Sequence, residues 1–139
     1  MKWRLVGLIY SYADEDSDEN WVASASVFRA TIEPHNGEFS TTMYDGRFGK
    51  SQITGSIKGN FVSFIQTYGD DEVEKGAPEG QVEFNFAPSS THELGMNGHW
   101  WVIGTPKNGG AILSVKEVPE LIDRILAIAN SNDECLDRR

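Results

Sequence analysis

A few side chains in this sequence have the types and spacing for chemistry. His92, Glu93 and His99 flank an Asn97-Gly98 pair. Across a hairpin turn there, two imidazoles and a carboxylate would approach one another, a donor set that suits zinc. The spacing is not that of a His-Glu-x-x-His helix, and no fourth ligand is at hand. These three are therefore read as surface or rim residues, and no metal is expected. Asp14, Asp16, Asp18 and Asn20 alternate within DEDSDEN, as calcium ligands do. An EF-hand loop also needs glycine at its sixth position and glutamate at its twelfth. Glu19 and Ala25 stand there, so the run is read as a solvated, mobile loop.

The more informative polar residues interrupt apolar rows. Ser24 and Ser26 stand in the alternating row of Val22, Phe28, Ala30 and Ile32, and Gln66 in that of Val62, Phe64 and Tyr68. A buried polar group needs a protein partner, a water or a ligand. Phe64, Phe84, Phe86 and Trp100 fall where they could supply an apolar wall. Together, Phe64, Gln66, Phe84, Phe86, Trp100, Ser24 and Ser26 are the expected lining of a site for one small apolar or aromatic molecule. Small residues such as Ala23, Ala25, Gly55, Gly104 and Ala111 would leave room beside the large rings. No nucleophile elbow, phosphate-cradling glycine loop or Cys-His pair accompanies them. The single cysteine, Cys135, lies in the polar tail. No catalytic residue and no cofactor are expected, and an enzyme is the less favoured class.

Strands must position these residues. Gln52–Tyr68 alternates apolar and polar side chains on both sides of Lys58-Gly59-Asn60, the pattern of two strands and a tight turn. The same rhythm predicts strands over Trp3–Tyr12, Trp21–Glu33, Glu38–Tyr44, Arg47–Lys58, Phe61–Tyr68, Gln81–Ala87, His92–Met96, His99–Thr105 and Ala111–Lys116. Asn36-Gly37, Asp45-Gly46, Asn97-Gly98 and Asn108-Gly109 read as turns between them. Gly69–Gly80, acidic and containing Pro78, reads as a long mobile connection. From Val118 the period changes: Leu121, Ile122, Ile125, Leu126 and Ala129 recur at helical spacing, which predicts a C-terminal helix packed on the rest.

The expected fold is mainly β: an antiparallel up-and-down meander closed or nearly closed into a barrel, with one C-terminal α-helix. The chain reads as a single domain over 1–139, with the meander at 1–116, the helix within 117–130 and a polar tail at 131–139. A curved α+β sheet with the helix in its concavity is the alternative. In order and size, Trp21–Ala129 resembles the calycin barrels of the lipocalin and avidin type, a meander of about eight strands with a flanking helix. Lipocalins carry Gly-x-Trp on their first strand. Here those letters are Gly98-His99-Trp100, on the eighth expected strand, so the resemblance brings no site residue with it.

Charge narrows the partners. The 139 residues hold 12 Lys plus Arg against 21 Asp plus Glu, a net charge of −9. Such a chain repels phosphate backbones and anionic bilayers, so neither nucleic acid nor membrane is expected, and the ligand should be neutral or cationic. A lone cysteine and the lack of a signal-peptide pattern after Lys2 and Arg4 point to the cytoplasm. Three functions remain: binding a small ligand within the barrel, docking on a basic protein as an interaction, inhibitor or immunity-type module, or catalysis in a cavity. A monomer or a homodimer is expected. A cavity above about 300 Å³ would favour a ligand or substrate; a filled barrel would favour the interaction module.

Overall fold

The structure, a computed structural model, describes residues 1–12, 22–89, 95–118 and 128–129. Eight strands form one closed antiparallel barrel in sequential order: β1 (Lys2–Tyr12), β2 (Val22–Ile32), β3 (Glu38–Asp45), β4 (Gly49–Lys58), β5 (Phe61–Tyr68), β6 (Val82–Pro88), β7 (Gly95–Val102) and β8 (Asn108–Val118). β8 returns to pair with β1 from Tyr10↔Gly110 to Lys2↔Val118, which closes the sheet. A short helix, α1 (Asp70–Glu74), sits between β5 and β6.

The period-2 pattern translates directly into facing. Leu5, Phe28, Ala30, Ile32, Met43, Ile53, Phe64, Phe84, Phe86, Ala111 and Leu113 are buried inside. Large and small inward residues alternate around the barrel because register pairs an aromatic with a glycine across several strand boundaries: Gly7↔Phe28, Gly55↔Phe64, Phe86↔Gly98 and Trp100↔Gly109. A Cβ at any of these four glycines would overlap its partner's side chain. The rings lie across bare backbone and meet in the middle. Phe64 stacks on Phe84 at 4.7 Å between centroids, Phe84 lies 6.2 Å from Phe86, and Phe28 contacts all three at 6.3–6.5 Å. Aromatic pairs at such distances add to the area term of burial.

The same packing explains two departures from the expected strand map. Asn97-Gly98 is not a hairpin. It lies inside β7, because Gly98 is needed as the floor under Phe86. Likewise Gly109 and Gly110 begin β8 instead of ending a turn, pressed against Trp100 and Tyr10. Asn36-Gly37, by contrast, makes the expected turn. Both residues have positive φ (53° and 80°), and His35 and Glu38 exchange backbone hydrogen bonds of 2.8 and 3.0 Å.

The stretch expected as a long mobile connection holds α1, whose Glu72 is buried, followed by buried Ala77. The expected C-terminal helix is corrected at its start, where Glu117 and Val118 belong to β8. Residues 119–127 and 130 of that helix, the 131–139 tail, and the whole DEDSDEN run with its calcium reading lie outside the described residues. Ile128 and Ala129 have helical backbone and are exposed.

Candidate functional site

The two ends of the barrel are built differently. At one end lie the β2–β3 turn and the start of β1. At the other lie the Asp45–Gly49 turn, α1 and the β7–β8 turn. The ladder between β2 and β3 spans three register pairs, Phe28↔Asp45 to Ala30↔Met43, and at the α1 end it stops there because β3 ends at Asp45 while β2 extends back to Val22. Beyond Gly46, whose N–H donates to the Val27 carbonyl at 2.9 Å, no strand among the described residues pairs with β2 on that side. The wall is completed there by the 45–48 turn and the segment after α1.

A partly enclosed cavity of about 160 Å³ occupies this end. Ile9, Val82, Phe84, Trp100 and Val102 form its apolar surface. Ser11, Ser24, Ser26 and Gln66 add hydroxyl and amide groups; Asp45, Arg47, Phe48 and Tyr68 form one rim, with Pro78 and Lys107 nearby. The inward row of β2 reads Ser24, Ser26, Phe28, so the cavity begins where the row changes from aromatic to hydroxyl.

Most polar groups here are already engaged. The Ser11 and Ser24 hydroxyls share a 2.6 Å hydrogen bond across β1 and β2. Gln66, buried, donates from Nε2 to the Ser51 Oγ at 2.9 Å. Asp45 organises the rim: its Oδ1 accepts the N–H groups of Arg47 (2.9 Å) and Phe48 (2.7 Å), and its Oδ2 accepts the Tyr68 hydroxyl at 2.6 Å. Burial first, and then the Asp45 carboxylate, push the Tyr68 phenol far above its usual range. Tyr68 is therefore a neutral donor and not a base. The Arg47 guanidinium lies 5.0 Å over the Phe48 ring, which in turn meets Tyr68 edge-on at 5.5 Å. Trp100 Nε1 donates to the Tyr10 carbonyl at 3.0 Å, fixing the indole on the cavity wall.

One group is not engaged. Ser26 lines the cavity, and its Oγ is buried without a hydrogen-bond partner, the one such side-chain atom among the described residues. Leaving a hydroxyl so costs about 1–3 kcal/mol.

The structure brings together five of the seven expected lining residues: Ser24, Ser26, Gln66, Phe84 and Trp100. Phe64 and Phe86 lie deeper, in the packed middle. Asp45, Arg47, Phe48 and Tyr68 were missed as a group. Asp followed by Gly signals a turn whose Asp caps the next amides, but nothing in the sequence places Tyr68 on that Asp. Of the three residues weighed for zinc, His92 and Glu93 lie outside the described residues. His99 points outward beside Trp101, their rings 5.7 Å apart. No cluster suited to a metal occurs among the described residues. No described helix is long and apolar enough to cross a membrane. The chain matches no protein-family model and no curated protein.

Proposed function

We propose that this barrel binds one small, neutral, partly aromatic molecule at the end that carries α1. The observation that carries this reading is the buried, unpartnered hydroxyl of Ser26, a residue that lines a largely apolar cavity. A ligand oxygen or nitrogen within reach of Ser26 would offset the desolvation of that hydroxyl. Phe84 and Trp100 supply faces for a ring. The calycin-like architecture agrees with such a role, since barrels of eight strands hold either side chains or one small ligand.

Size limits the ligand. At about 160 Å³ the cavity is below the roughly 300–1,000 Å³ of pockets for drug-sized molecules and close to the ~150 Å³ that admits benzene. A single substituted ring fits; a fatty acid or a porphyrin does not. Asp45 is saturated by Tyr68 and two amides, and Arg47 rests on Phe48. Asp45 and Arg47 are thus engaged within the protein, which supports a neutral ligand.

Titration of the protein with phenol, indole and a hydrophobic dye, read by tryptophan fluorescence, tests the proposal. Saturable binding is expected, with the signal abolished in Trp100→Phe and the affinity lost in Ser26→Leu, which fills the cavity. An unchanged affinity in Ser26→Leu, or no saturable response to any probe, would remove the cavity from consideration. The packed middle keeps the interaction-module reading in view, and the outer surface supports a version of it.

A further inference from the structure

The outward rows of β8, β1, β2 and β3 hold a second feature. The outward row of β1 carries Val6 and Leu8, and Val6 is 42% exposed. Its neighbours in register make it part of a patch. Leu8 stands beside Val27 on β2 and Ile112 on β8, and Val27 and Ile112 are 59% and 43% exposed. Val6 stands beside Arg29, and Arg29 beside Tyr44, which is itself about half exposed. Four of the eight exposed large apolar residues among those described thus share one side of the barrel.

Cations border this patch. Arg4 pairs in register with Lys116, Arg29 lies within the row, and Lys50 stands across from Tyr44. Among the described residues none of the four has a carboxylate partner: the Arg29 guanidinium rests 5.7 Å above the Tyr44 ring, and no ion pair engages Arg4, Lys50 or Lys116. No acidic residue occupies these register positions. A groove on this side is lined by Arg4, Val6, Arg29, Thr31, Thr42 and Tyr44, among others. A chain of net charge −9 therefore keeps a positive rim, unpaired among the described residues, around an exposed apolar strip.

We propose that this face docks an acidic protein segment in which apolar side chains alternate with carboxylates. Carboxylates would pair with Arg4 and Arg29, where guanidinium geometry favours bidentate contact, and apolar side chains would cover Val6, Val27 and Ile112. The partner's charge is opposite to the one that the chain's overall acidity suggests. An anionic bilayer fits less well, because the remaining surface is acidic and repels it, and the exposed apolar residues are mostly short β-branched ones instead of the Trp, Phe and Leu of interfacial segments. The proposal is independent of the cavity.

The test uses the full chain and a fluorescent peptide of alternating Asp and Leu, followed by anisotropy. Binding is expected that weakens about tenfold or more when sodium chloride rises from about 50 to about 500 mM. A similar loss is expected in the double variant Arg4→Glu/Arg29→Glu, and in Val6→Asp. Lys50→Glu/Lys116→Glu, which leaves the Arg29–Tyr44 contact intact, gives a second reading should the first variant fold poorly. A Lys-Leu peptide should not bind. Equal affinity of the charge-reversed variants for the acidic peptide, or no binding at all, would overturn the proposal. So would association only with anionic vesicles, or only with a second copy of the chain in sedimentation.

Discussion

Along the inward row of β2, Phe28 sits in the middle of the barrel, while Ser26 and Ser24 sit one and two inward positions closer to the α1 end. In the middle, Phe28, Phe64 and Phe86 each have a glycine to lie on, and together with Phe84 the rings fill the lumen by contacting one another. Toward the end, hydroxyls and an amide replace the rings, and the space they leave becomes the cavity. One strand row thus produces a closed core and an open site. Pairing between β1 and β2 continues past both, so the difference comes from side-chain volume and from the other side of β2, where the ladder to β3 ends at Phe28↔Asp45.

The comparison can be broken most severely in the middle. Phe84 borders both regions, stacked on Phe64 below and lining the cavity above. Phe84→Ala should cost about 3–5 kcal/mol, the range for emptying a packed aromatic site. Urea denaturation would measure it, and a loss under about 1 kcal/mol would mean that the rings do not hold the barrel together. Gly98→Ala probes the same packing by addition. Its new methyl would overlap the Phe86 ring and the Asn85 carbonyl, and a destabilisation of about 1–3 kcal/mol is expected from overpacking. A neutral result there would show that Phe86 has freedom to move.

At the cavity end the effects should be smaller and more chemical. Tyr68→Phe removes a hydrogen bond to a carboxylate and should cost about 1–2 kcal/mol at neutral pH. It also has a pH signature. The folded phenol is held above its ordinary value of 10.0, so the folded state retains a proton that the unfolded chain gives up. That stability is fully present below about pH 10 and falls as pH rises beyond it. Thermal melts should show less alkaline destabilisation in Tyr68→Phe than in the parent; parallel losses would place the alkaline transition elsewhere.

The smallest effect is expected at Ser26, and its sign matters more than its size. Ser26→Ala deletes an unpartnered buried hydroxyl and should leave stability unchanged or raise it by up to about 1 kcal/mol. Ser24→Ala, which breaks the bond to Ser11, should lower it. If both lower stability equally, the Ser26 hydroxyl has a partner, and the ligand reading loses its main support.

Much of this protein is determined by its sequence. Period-2 alternation specified which side chains point inward on β6, where Val82, Phe84 and Phe86 alternate with polar residues, because a one-residue slip would turn the row inside out; on β1 and β2 both rows carry apolar or small residues, and closure of the sheet chose between them. Asn36-Gly37 specified its own turn through positive φ. Ser24, Ser26 and Gln66 stood out as polar residues in apolar rows, and all three reach the cavity. What only tertiary structure decided are the relations between rows. Asn97-Gly98 has the local chemistry of a turn, yet it became strand, since the empty face of Gly98 is filled by Phe86 from the neighbouring strand. The Asp45–Tyr68 bond joins residues 23 apart in sequence, and no local pattern encodes that meeting. Whether small and large inward residues interdigitate or leave a hollow depends on how eight rows are staggered around the barrel. The sequence states each row's contents, but the stagger is a property of the closed sheet.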